Sequence, residues 1–391
     1  MSQKTSHRLL ALDIMRGITI AGMILVNNAG HWAHAYEPLR HSKWHGLTPC
    51  DLVFPFFMFI MGVSTYMSLR KSGFTLSRTT LARIVRRTVT IFAIGLGLTW
   101  LSRFLYGTLA GGMSVAEAAN CFSDIRILGV LQRLALSYGI GALIAVTVKT
   151  RLMPWIAGGL LVAYAVILMI GHGYEFSDMN VVAVIDRAVI GDAHMYVDWA
   201  YGEPFIFDPE GLIATLPSVA HVLIGFMCGR LICETHDMQE RLTRLFIVGT
   251  ILTFTGLLLS YGMPINKKLW SPTFVLTTCG LATMLLALLV WIVDVKGWQR
   301  WARGFMAFGI NPLYLYVQAA VLAYLCGAIQ VHTGLSESGV TNLAGWVYLA
   351  WLRPMCGGNA QLASCVWAIL FVIVNWIPGY LLWRKKIYIK I

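Results

Sequence analysis

The chain has 391 residues, of which 58% are apolar and only 12% are charged. A soluble domain carries about 25% charged residues, so this composition excludes an ordinary soluble protein and indicates an integral membrane protein. The formal net charge of +12 does not call for nucleic acid as a partner, because membrane proteins also gather basic residues on their cytoplasmic loops.

Long apolar runs predict the fold class: an all-α, polytopic transmembrane bundle formed by a single domain, residues 1–391. A helix that crosses the membrane needs about 20 apolar residues, whereas barrel strands are alternating segments of about 10. The stretch 342–352 is too short to cross and is predicted as an interfacial or re-entrant helix, with an eleventh span left open. The ten predicted spans lie near residues 9–28, 51–69, 84–106, 126–148, 153–171, 212–232, 245–262, 272–293, 304–327 and 363–383.

The basic residues predict the orientation of the bundle. If both termini are cytoplasmic, most of the 30 lysines and arginines fall on inner loops and tails, as the positive-inside rule requires. The histidine-containing loop 28–50 and the acidic segment 172–211 then lie on the outer side. No small-residue cleavage site follows the first apolar run, so we expect it to be retained as a span.

Polar residues within the spans predict an interior cavity, because a charge inside the membrane is costly unless it is paired or faces water. Asp13 and Arg16 are one helical turn apart, and either neutralise each other or line a polar site. Gln132 and Arg133 lie in the fourth span, and Asn311 lies in the ninth.

The first outer loop contains His31, His34, His41 and His45. Their spacing of three and four residues would allow imidazole pairs to bind a metal, but proline and glycine interrupt the loop, and we predict no metal. A role as proton acceptor needs only one histidine and no further ligands, since imidazole exchanges a proton near neutrality.

Asp51 stands at the start of the second span. With Thr48 as the N-cap and Pro49 as the first helical residue, Asp51 occupies the third position, where a carboxylate interacts well with the helix dipole. Helix capping and a catalytic role are both open for this residue.

Six sequence blocks in a fixed order carry a family resemblance: LDIMRGITIAGMILVNNAG, RHSKWHGLTPCDLVFPFFMFIMG, RILGVLQRLALSY, FDPEGLIATLPSVAHVLIG, NKKLWSPTFVL and FMAFGINPLYLY. Together they resemble the heparan-α-glucosaminide N-acetyltransferase family of transmembrane acyltransferases. The resemblance implies a homodimeric membrane enzyme that moves acetyl groups from cytosolic acetyl-CoA to the amine of a glucosamine-type sugar on the outer side. We expect a compact bacterial form in the inner membrane, facing the periplasm; a eukaryotic form would be lysosomal.

The resemblance also implies roles for individual residues. The catalytic histidine of the family corresponds to His41, three residues before Trp44, and the asparagine of its VN pattern corresponds to Asn27. His45 stands where the lysosomal enzyme has asparagine, so the sequence departs from the family there.

The reaction itself requires a base for the attacking amine and a group that steadies the oxyanion. His41 can be that base, Asn27 can offer its amide N–H to the thioester carbonyl, and Asp51 can orient His41. A ping-pong route through an acetyl-histidine stays open, although we favour direct transfer.

The remaining polar residues divide between the two substrates. For acetyl-CoA, which is a co-substrate, the residues assigned are Asp13, Arg16, Gln132, Arg133 and Asn311. For the acceptor sugar, the residues assigned are His45, Asp208, Glu210, Lys268 and Trp270. Asp208 and Glu210 could instead cap a helix, and Trp270 could instead anchor the protein at the membrane interface. Lys267, like its neighbour Lys268, would attract an anionic sugar.

A different class of function remains as an alternative. A small-molecule transporter or channel would also place Asp13, Arg16 and Arg133 along a path, with His41 as a proton relay. Consumption of acetyl-CoA in the presence of an amino sugar distinguishes the enzyme from the transporter.

Overall fold

The computed structural model describes residues 9–389, and nearly all of their regular structure is helical. The α-helices are α1 Leu10–Asn27, α2 Val53–Arg70, α3 Arg78–Leu105, α4 Val115–Ala119, α5 Val130–Thr147, α6 Met153–Ile170, α7 Val181–Ile190, α8 Thr215–Glu234, α9 Met238–Leu259, α10 Pro272–Val290, α11 Arg303–Ile310, α12 Pro312–Ala328, α13 Leu343–Val347, α14 Arg353–Met355 and α15 Ala360–Arg384. Two short antiparallel hairpins accompany them, formed by β1 Val197–Asp198 with β2 Phe205–Ile206 and by β3 Gln330–His332 with β4 Val340–Asn342.

The predicted all-α membrane bundle is confirmed. Within residues 9–389, nine helices are long and apolar enough to cross a membrane, and α11 with α12 makes a tenth span if the bent pair is counted as one. Large apolar side chains remain exposed on α3, α6, α9 and α15, as expected for helices that face lipid. The predicted interfacial stretch 342–352 forms short helical pieces that are not among these candidate spans.

The ninth predicted span, 304–327, is not continuous, which corrects the sequence prediction. The helix breaks between α11 and α12, whose axes differ by 87°. Asn311 at the break has non-helical dihedral angles (φ −122°, ψ 57°) and precedes Pro312. A proline lacks the N–H that would continue the helix and disfavours helical geometry in the residue before it.

The first half of α1 packs closely against α11 through two glycines. A Cβ on Gly17 would lie 1.9 Å from the carbonyl oxygen of Phe305, and a Cβ on Gly309 would lie 2.0 Å from that of Asp13. Both neighbours are backbone atoms that cannot rotate away. Small residues at such contacts allow membrane helices to approach, which compensates for the weak hydrophobic drive between helices in lipid.

We expect Gly309→Ala to lower the melting temperature of the detergent-purified protein, because the added methyl group forces α1 and α11 apart. Overpacking of this kind costs about 1–3 kcal/mol. Gly304→Ala is the matched control: it lies on the same helix, and a Cβ there meets no atom within 4 Å. Its melting temperature should be unchanged or higher, since alanine favours helix over glycine. Equal melting temperatures for the two variants would contradict this packing argument.

The packing of α2 against α8 brings distant polar segments to one end of the bundle. Gly62 of α2 faces the backbone of α8 near Val222, and Gly225 of α8 faces the carbonyl group of Phe59 on α2. This close contact keeps the starts of the two helices near each other. We call this end, where α1 ends and α2 begins, the His41 end.

Candidate active site

A cavity of about 330 Å³ opens at the His41 end. It collects side chains from the loop after α1, the turn before α2, the segment before α5, the region 196–210 and the turn before α10. The structure thus brings together four of the predicted site residues. The cavity is lined by His41, Ser42, Lys43, Asp51, Arg126, Tyr196, Asp198, Ala200, Pro209, Glu210, Lys267 and Lys268.

His41 and Asp51 form a hydrogen-bonded pair in the wall of this cavity. The distance from His41 Nδ1 to Asp51 Oδ1 is 2.8 Å. The imidazole is 42% exposed, whereas the carboxylate is fully buried. A buried carboxylate therefore orients an accessible ring, which is the arrangement that general-base catalysis uses.

The second oxygen of Asp51 performs the capping role that the sequence predicts. Asp51 Oδ2 accepts hydrogen bonds from the backbone N–H groups of Thr48 at 3.1 Å and Ser42 at 3.2 Å. Thr48 and Asp51 form a capping box around the turn that starts with Pro49. Capping and orientation of His41 are thus carried by different oxygens of one carboxylate.

These contacts determine which ring nitrogen of His41 can take a proton. An ionised carboxylate only accepts hydrogen bonds, so Nδ1 carries the hydrogen that Asp51 Oδ1 accepts. In the neutral ring, Nε2 then holds the free lone pair. Asp51 thereby favours the tautomer in which Nε2 is free to accept a proton.

Lys267 is a third member of this group. Its Nζ lies 2.9 Å from His41 Nδ1, 3.5 Å from His41 Nε2 and 3.4 Å from Asp51 Oδ1. The buried thiol of Cys50 also contacts the ring, with Sγ 3.1 Å from Nδ1. From the sequence, Lys267 is expected only to attract an anionic sugar. The doubled lysine of NKKLWS marks the region, but no spacing rule links it to a histidine more than two hundred residues away.

The turn that carries Lys267 is docked on the loop that carries His41. The N–H of Gly46 donates to the carbonyl oxygen of Ile265 at 2.8 Å, and Asn266 Nδ2 lies 3.5 Å from His45 Nδ1. Partial burial lowers the pKa of His45. His45, predicted to bind the acceptor, instead contacts the neighbouring turn and is not among the residues that line the cavity.

Arg126 forms ion pairs with both acids of the FDPEG segment, an arrangement that we call the Arg126 clamp. Its guanidinium donates to both oxygens of Asp208, at 2.6 and 2.9 Å, and to Glu210 Oε2 at 2.6 Å. Burial alone raises the pKa of Glu210, but the charges of Arg126 and Arg133 outweigh burial and hold this pKa below its usual value. Both predicted acceptor-binding acids are thus held by an arginine that was not predicted from the sequence to belong to the site, and only Glu210 reaches the cavity.

Replacement of Arg126 by methionine should destabilise the protein, because it leaves Asp208 and Glu210 together without their bidentate partner. The arginine side chain is 28% exposed. We therefore expect a loss of about 2–3 kcal/mol in the free energy of unfolding, below the 3–5 kcal/mol of a fully buried pair. Thermal unfolding of the variant and the wild type in the same detergent measures this loss of stability.

The matched control for this change is Arg103→Met. Arg103 pairs with Asp124, and both side chains are about half exposed. An exposed ion pair contributes at most about 1 kcal/mol, so this variant should unfold close to the wild type. A loss equal to that of Arg126→Met would contradict the importance of the clamp.

The predicted role of Trp270 in sugar stacking does not agree with the structure. This side chain is 1% exposed and packs edge-on against Phe54 and Phe274, below the cavity. The guanidinium of Arg133 lies 5.3 Å from its ring centre. Trp270 therefore anchors the turn in the core, while Lys268, the other predicted contact from this turn, lines the cavity and binds Asp198.

Arg133 supports the floor of the site instead of lining the cavity. It is fully buried, and its Nη2 donates to the carbonyl oxygen of Gly211 at 3.1 Å. Asp186 of α7 accepts the N–H groups of Leu212 and Ile213 at 2.9 and 3.2 Å, and burial raises the pKa of Asp186 to about 6. Two buried charges of opposite sign thus hold the segment that follows FDPEG. Gln132, which was also predicted to contact acetyl-CoA, is the preceding residue in the chain and is buried as well.

Three other residues predicted to contact acetyl-CoA lie at the opposite end of the bundle. Asp13 Oδ1 and Arg16 Nη1 are 2.8 Å apart, so the ion pair, one of the two roles left open by the sequence, is formed, and Arg16 also donates to Ser64 Oγ at 2.8 Å. Asn311 bonds the C-terminal backbone, with its Nδ2 2.9 Å from the carbonyl oxygen of Ile387. The residues assigned to the donor therefore fall into two separate groups.

Asn27 is the predicted catalytic residue that the structure does not bring to the cavity. It is the last residue of α1, its side chain is exposed, and it is absent from the cavity lining. The two remaining loop histidines, His31 and His34, lie beside each other with ring centres 4.7 Å apart, and His31 packs near Tyr348. The four histidines of this loop thus do not form one cluster: His31 and His34 lie together, His41 pairs with Asp51, and His45 contacts Asn266.

Comparisons with known proteins agree on one family. Residues 8–261, more than half of the chain, match the family model described as heparan-alpha-glucosaminide N-acetyltransferase, catalytic. The mouse protein named heparan-alpha-glucosaminide N-acetyltransferase is 28% identical over 379 residues, covering 82% of this chain and 54% of its own length. The human protein of that name is 27% identical over 366 residues, covering 79% and 52%. The chain spans about half the length of these curated relatives.

Proposed function

The chain belongs to the heparan-alpha-glucosaminide N-acetyltransferase family, and we propose that it is a membrane-embedded enzyme that transfers an acetyl group from acetyl-CoA to the amine of a glucosamine-type sugar. The observation that carries this proposal is the pair formed by His41 and Asp51 in the wall of a polar cavity. The pair supplies an accessible base with a fixed tautomer. The acidic lining residues, Asp51, Asp198 and Glu210, are each paired with a cation of the protein, so the acceptor amine would meet His41 and not a free carboxylate.

The proposed reaction uses His41 Nε2 to keep the attacking amine unprotonated. The amine nitrogen forms a bond to the thioester carbonyl carbon, and its proton passes to His41. The carbon–sulfur bond of the tetrahedral intermediate then breaks, and the CoA thiolate takes the proton from the imidazolium. The products are the acetamide and CoA thiol, and the enzyme returns to its starting state. Asp51 stabilises the imidazolium that forms in between.

We favour direct transfer over a ping-pong route through acetyl-His41. The two routes share the same base and differ in whether the protein carries the acetyl group. Incubation with acetyl-labelled donor in the absence of an acceptor separates them: we expect no label on the protein. A label that is trapped on wild type and absent from His41→Ala would establish the ping-pong route.

The proposed orientation places the His41 end on the outer side of the membrane, which is periplasmic in the bacterial inner membrane and lumenal in a lysosome. The distribution of basic residues supports it, since the loops at the opposite end carry most of them. Acetyl-CoA would enter from the cytosolic end. We also propose a homodimer surrounded by lipid, as the family resemblance implies; mass measurement in lipid nanodiscs tests the dimer.

The transporter alternative draws on one observation, the 87° break between α11 and α12. Broken helices form the substrate sites of many transporters. Here, however, the side chain of Asn311 at the break is bonded to the backbone of the C-terminal segment, through Ile387 and Ile389. The polar groups that would hold a substrate at the break are thus already engaged, which favours the enzyme.

A screen of amino sugars and glycans with acetyl-CoA tests the proposed function. Free thiol released by the purified protein should rise when a glucosamine-bearing acceptor is present, and mass spectrometry should find one acetyl group added to that acceptor. If no acceptor produces thiol above a protein-free control, the proposed enzyme activity is wrong.

A further inference from the structure

Lys267 carries a positive charge at the reacting end of the cavity. Its side chain is 16% exposed, it lines the cavity, and its ammonium contacts both members of the His41–Asp51 pair. From these contacts and the proposed acetyl transfer, on which this step rests, we infer that Lys267 is a catalytic residue that stabilises the oxyanion of the tetrahedral intermediate. This is the role that the sequence analysis expected of Asn27.

The ammonium of Lys267 has a donor to spare for such an oxyanion. A lysine ammonium carries three N–H donors. Asp51 Oδ1 takes at most one of them, at the long distance of 3.4 Å, and His41 Nδ1 holds its own hydrogen toward Asp51. Asp51 Oδ2 is occupied by the backbone of Thr48 and Ser42. His41 Nε2, 3.5 Å from Nζ, can take a second donor. At least one donor of Lys267 is therefore available to a ligand beside His41.

The other cations that line the cavity lie next to other groups. Lys268 binds Asp198, and Arg126 binds Asp208 and Glu210. Lys43 lies over the ring of Tyr201, with Nζ 5.8 Å from the ring centre. Within the part of the chain that the structure describes, Lys267 is the lining cation that contacts His41. An oxyanion that forms beside this base meets Lys267 first.

The turn that holds Lys267 is fixed from both sides, as electrostatic catalysis requires. Asn266 Oδ1 accepts the N–H of Leu269 at 2.9 Å, and Ser271 Oγ accepts the N–H of Asn266 at 3.0 Å. Trp270 has a positive φ of 54°, an uncommon conformation for a bulky residue, and its ring is held in the core against Arg133. The backbone of the turn therefore does not need to reorganise when negative charge develops.

In the proposed step, the amine attacks the acetyl carbonyl carbon and the carbonyl electron pair moves onto oxygen. The ammonium of Lys267 donates a hydrogen bond to that oxyanion and keeps its own protons throughout. When the carbon–sulfur bond breaks, the electron pair returns to the carbonyl, and the CoA thiolate takes the proton held by His41. Lys267 thus lowers the barrier without changing its protonation state.

The test compares Lys267→Met, Lys267→Arg and Lys296→Met in the acetyl-transfer assay. Lys296 lies at the opposite end of the bundle, over the ring of Trp291, and serves as the charge-matched control. Removal of one oxyanion donor typically lowers kcat by about 10²- to 10³-fold. We expect this loss for Lys267→Met, with both KM values within about threefold of wild type, a smaller loss for Lys267→Arg and none for Lys296→Met.

A pH series separates this role from a role in tuning the base. If Lys267 stabilises the oxyanion, the ratio of wild-type to Lys267→Met rates stays at about 10²- to 10³-fold at high pH, where the base is neutral in both proteins. A ratio that returns to about one at high pH, or a loss confined to KM, overturns the inference. So does a Lys267→Met variant as active as wild type. Absence of acetyl transfer by the wild-type chain itself overturns the proposed function, and the inference with it.

Discussion

His41→Ala is expected to lower kcat for acetyl transfer by about 10³-fold or more, the largest effect of any single substitution in this chain. Loss of a positioned general base typically costs about 10²- to 10⁴-fold, and here no second histidine replaces it. His41 is the histidine that both lines the cavity and bonds Asp51. Initial rates of thiol release at saturating acetyl-CoA measure the effect.

The matched control for this loss is His34→Ala. His34 belongs to the same loop, but its ring lies against His31 and away from the cavity lining. We expect it to retain the wild-type rate and melting temperature. Full activity of His41→Ala would rule out His41 as the base, and an equal loss in both variants would point to damage of the loop.

Asp51→Asn should be the second most damaging change, with kcat lower by about 10²- to 10⁴-fold. The amide can present its NH₂ group to His41 Nδ1, which then becomes an acceptor, so the ring carries its hydrogen on Nε2 and cannot act as a base. The corresponding exchange in a serine-protease triad costs about 10⁴-fold for this reason. The amide oxygen can still accept the capping bonds from Thr48 and Ser42, so the fold should persist.

This prediction is checked by measuring kcat and the melting temperature on the same preparation. Asp124→Asn is the control, because Asp124 forms a half-exposed pair with Arg103 on the surface. An Asp51→Asn protein that melts near the wild-type temperature but is inactive supports the tautomer argument. A protein that keeps its activity while its melting temperature falls would reduce Asp51 to a helix cap.

The contact between His41 and Asp51 could be predicted from the sequence, because the two residues are close along the chain. His41 and Asp51 are ten residues apart, and the TPCD pattern fixes the start of the second span, so the structure confirms Thr48 as the N-cap and Asp51 as the third residue of the turn. The pairing of Asp13 with Arg16 likewise follows from one helical turn. Such contacts are predictable because helical geometry alone sets which side chains meet.

The long-range contacts of the site could not be read in this way. Lys267 reaches His41 because the turn before α10 docks on the first loop through Gly46 and Ile265. Arg126 reaches Asp208 because the segment before α5 meets the segment before α8. Neither sequence periodicity nor charge spacing encodes a contact between segments that only the packing of the bundle brings together.

The sequence by itself determined the fold class and all the spans but the ninth, because hydrophobic length and local helix signals depend on neighbouring residues. The choice of His41 as the proposed base came from the family resemblance. Only the tertiary structure decided which polar residues share the cavity. It buried Trp270, held Asn311 against the C-terminal backbone and left Asn27 exposed at the end of α1. It also placed Lys267 beside His41, because the direction in which a polar side chain points at a helix end is set by the elements packed around it.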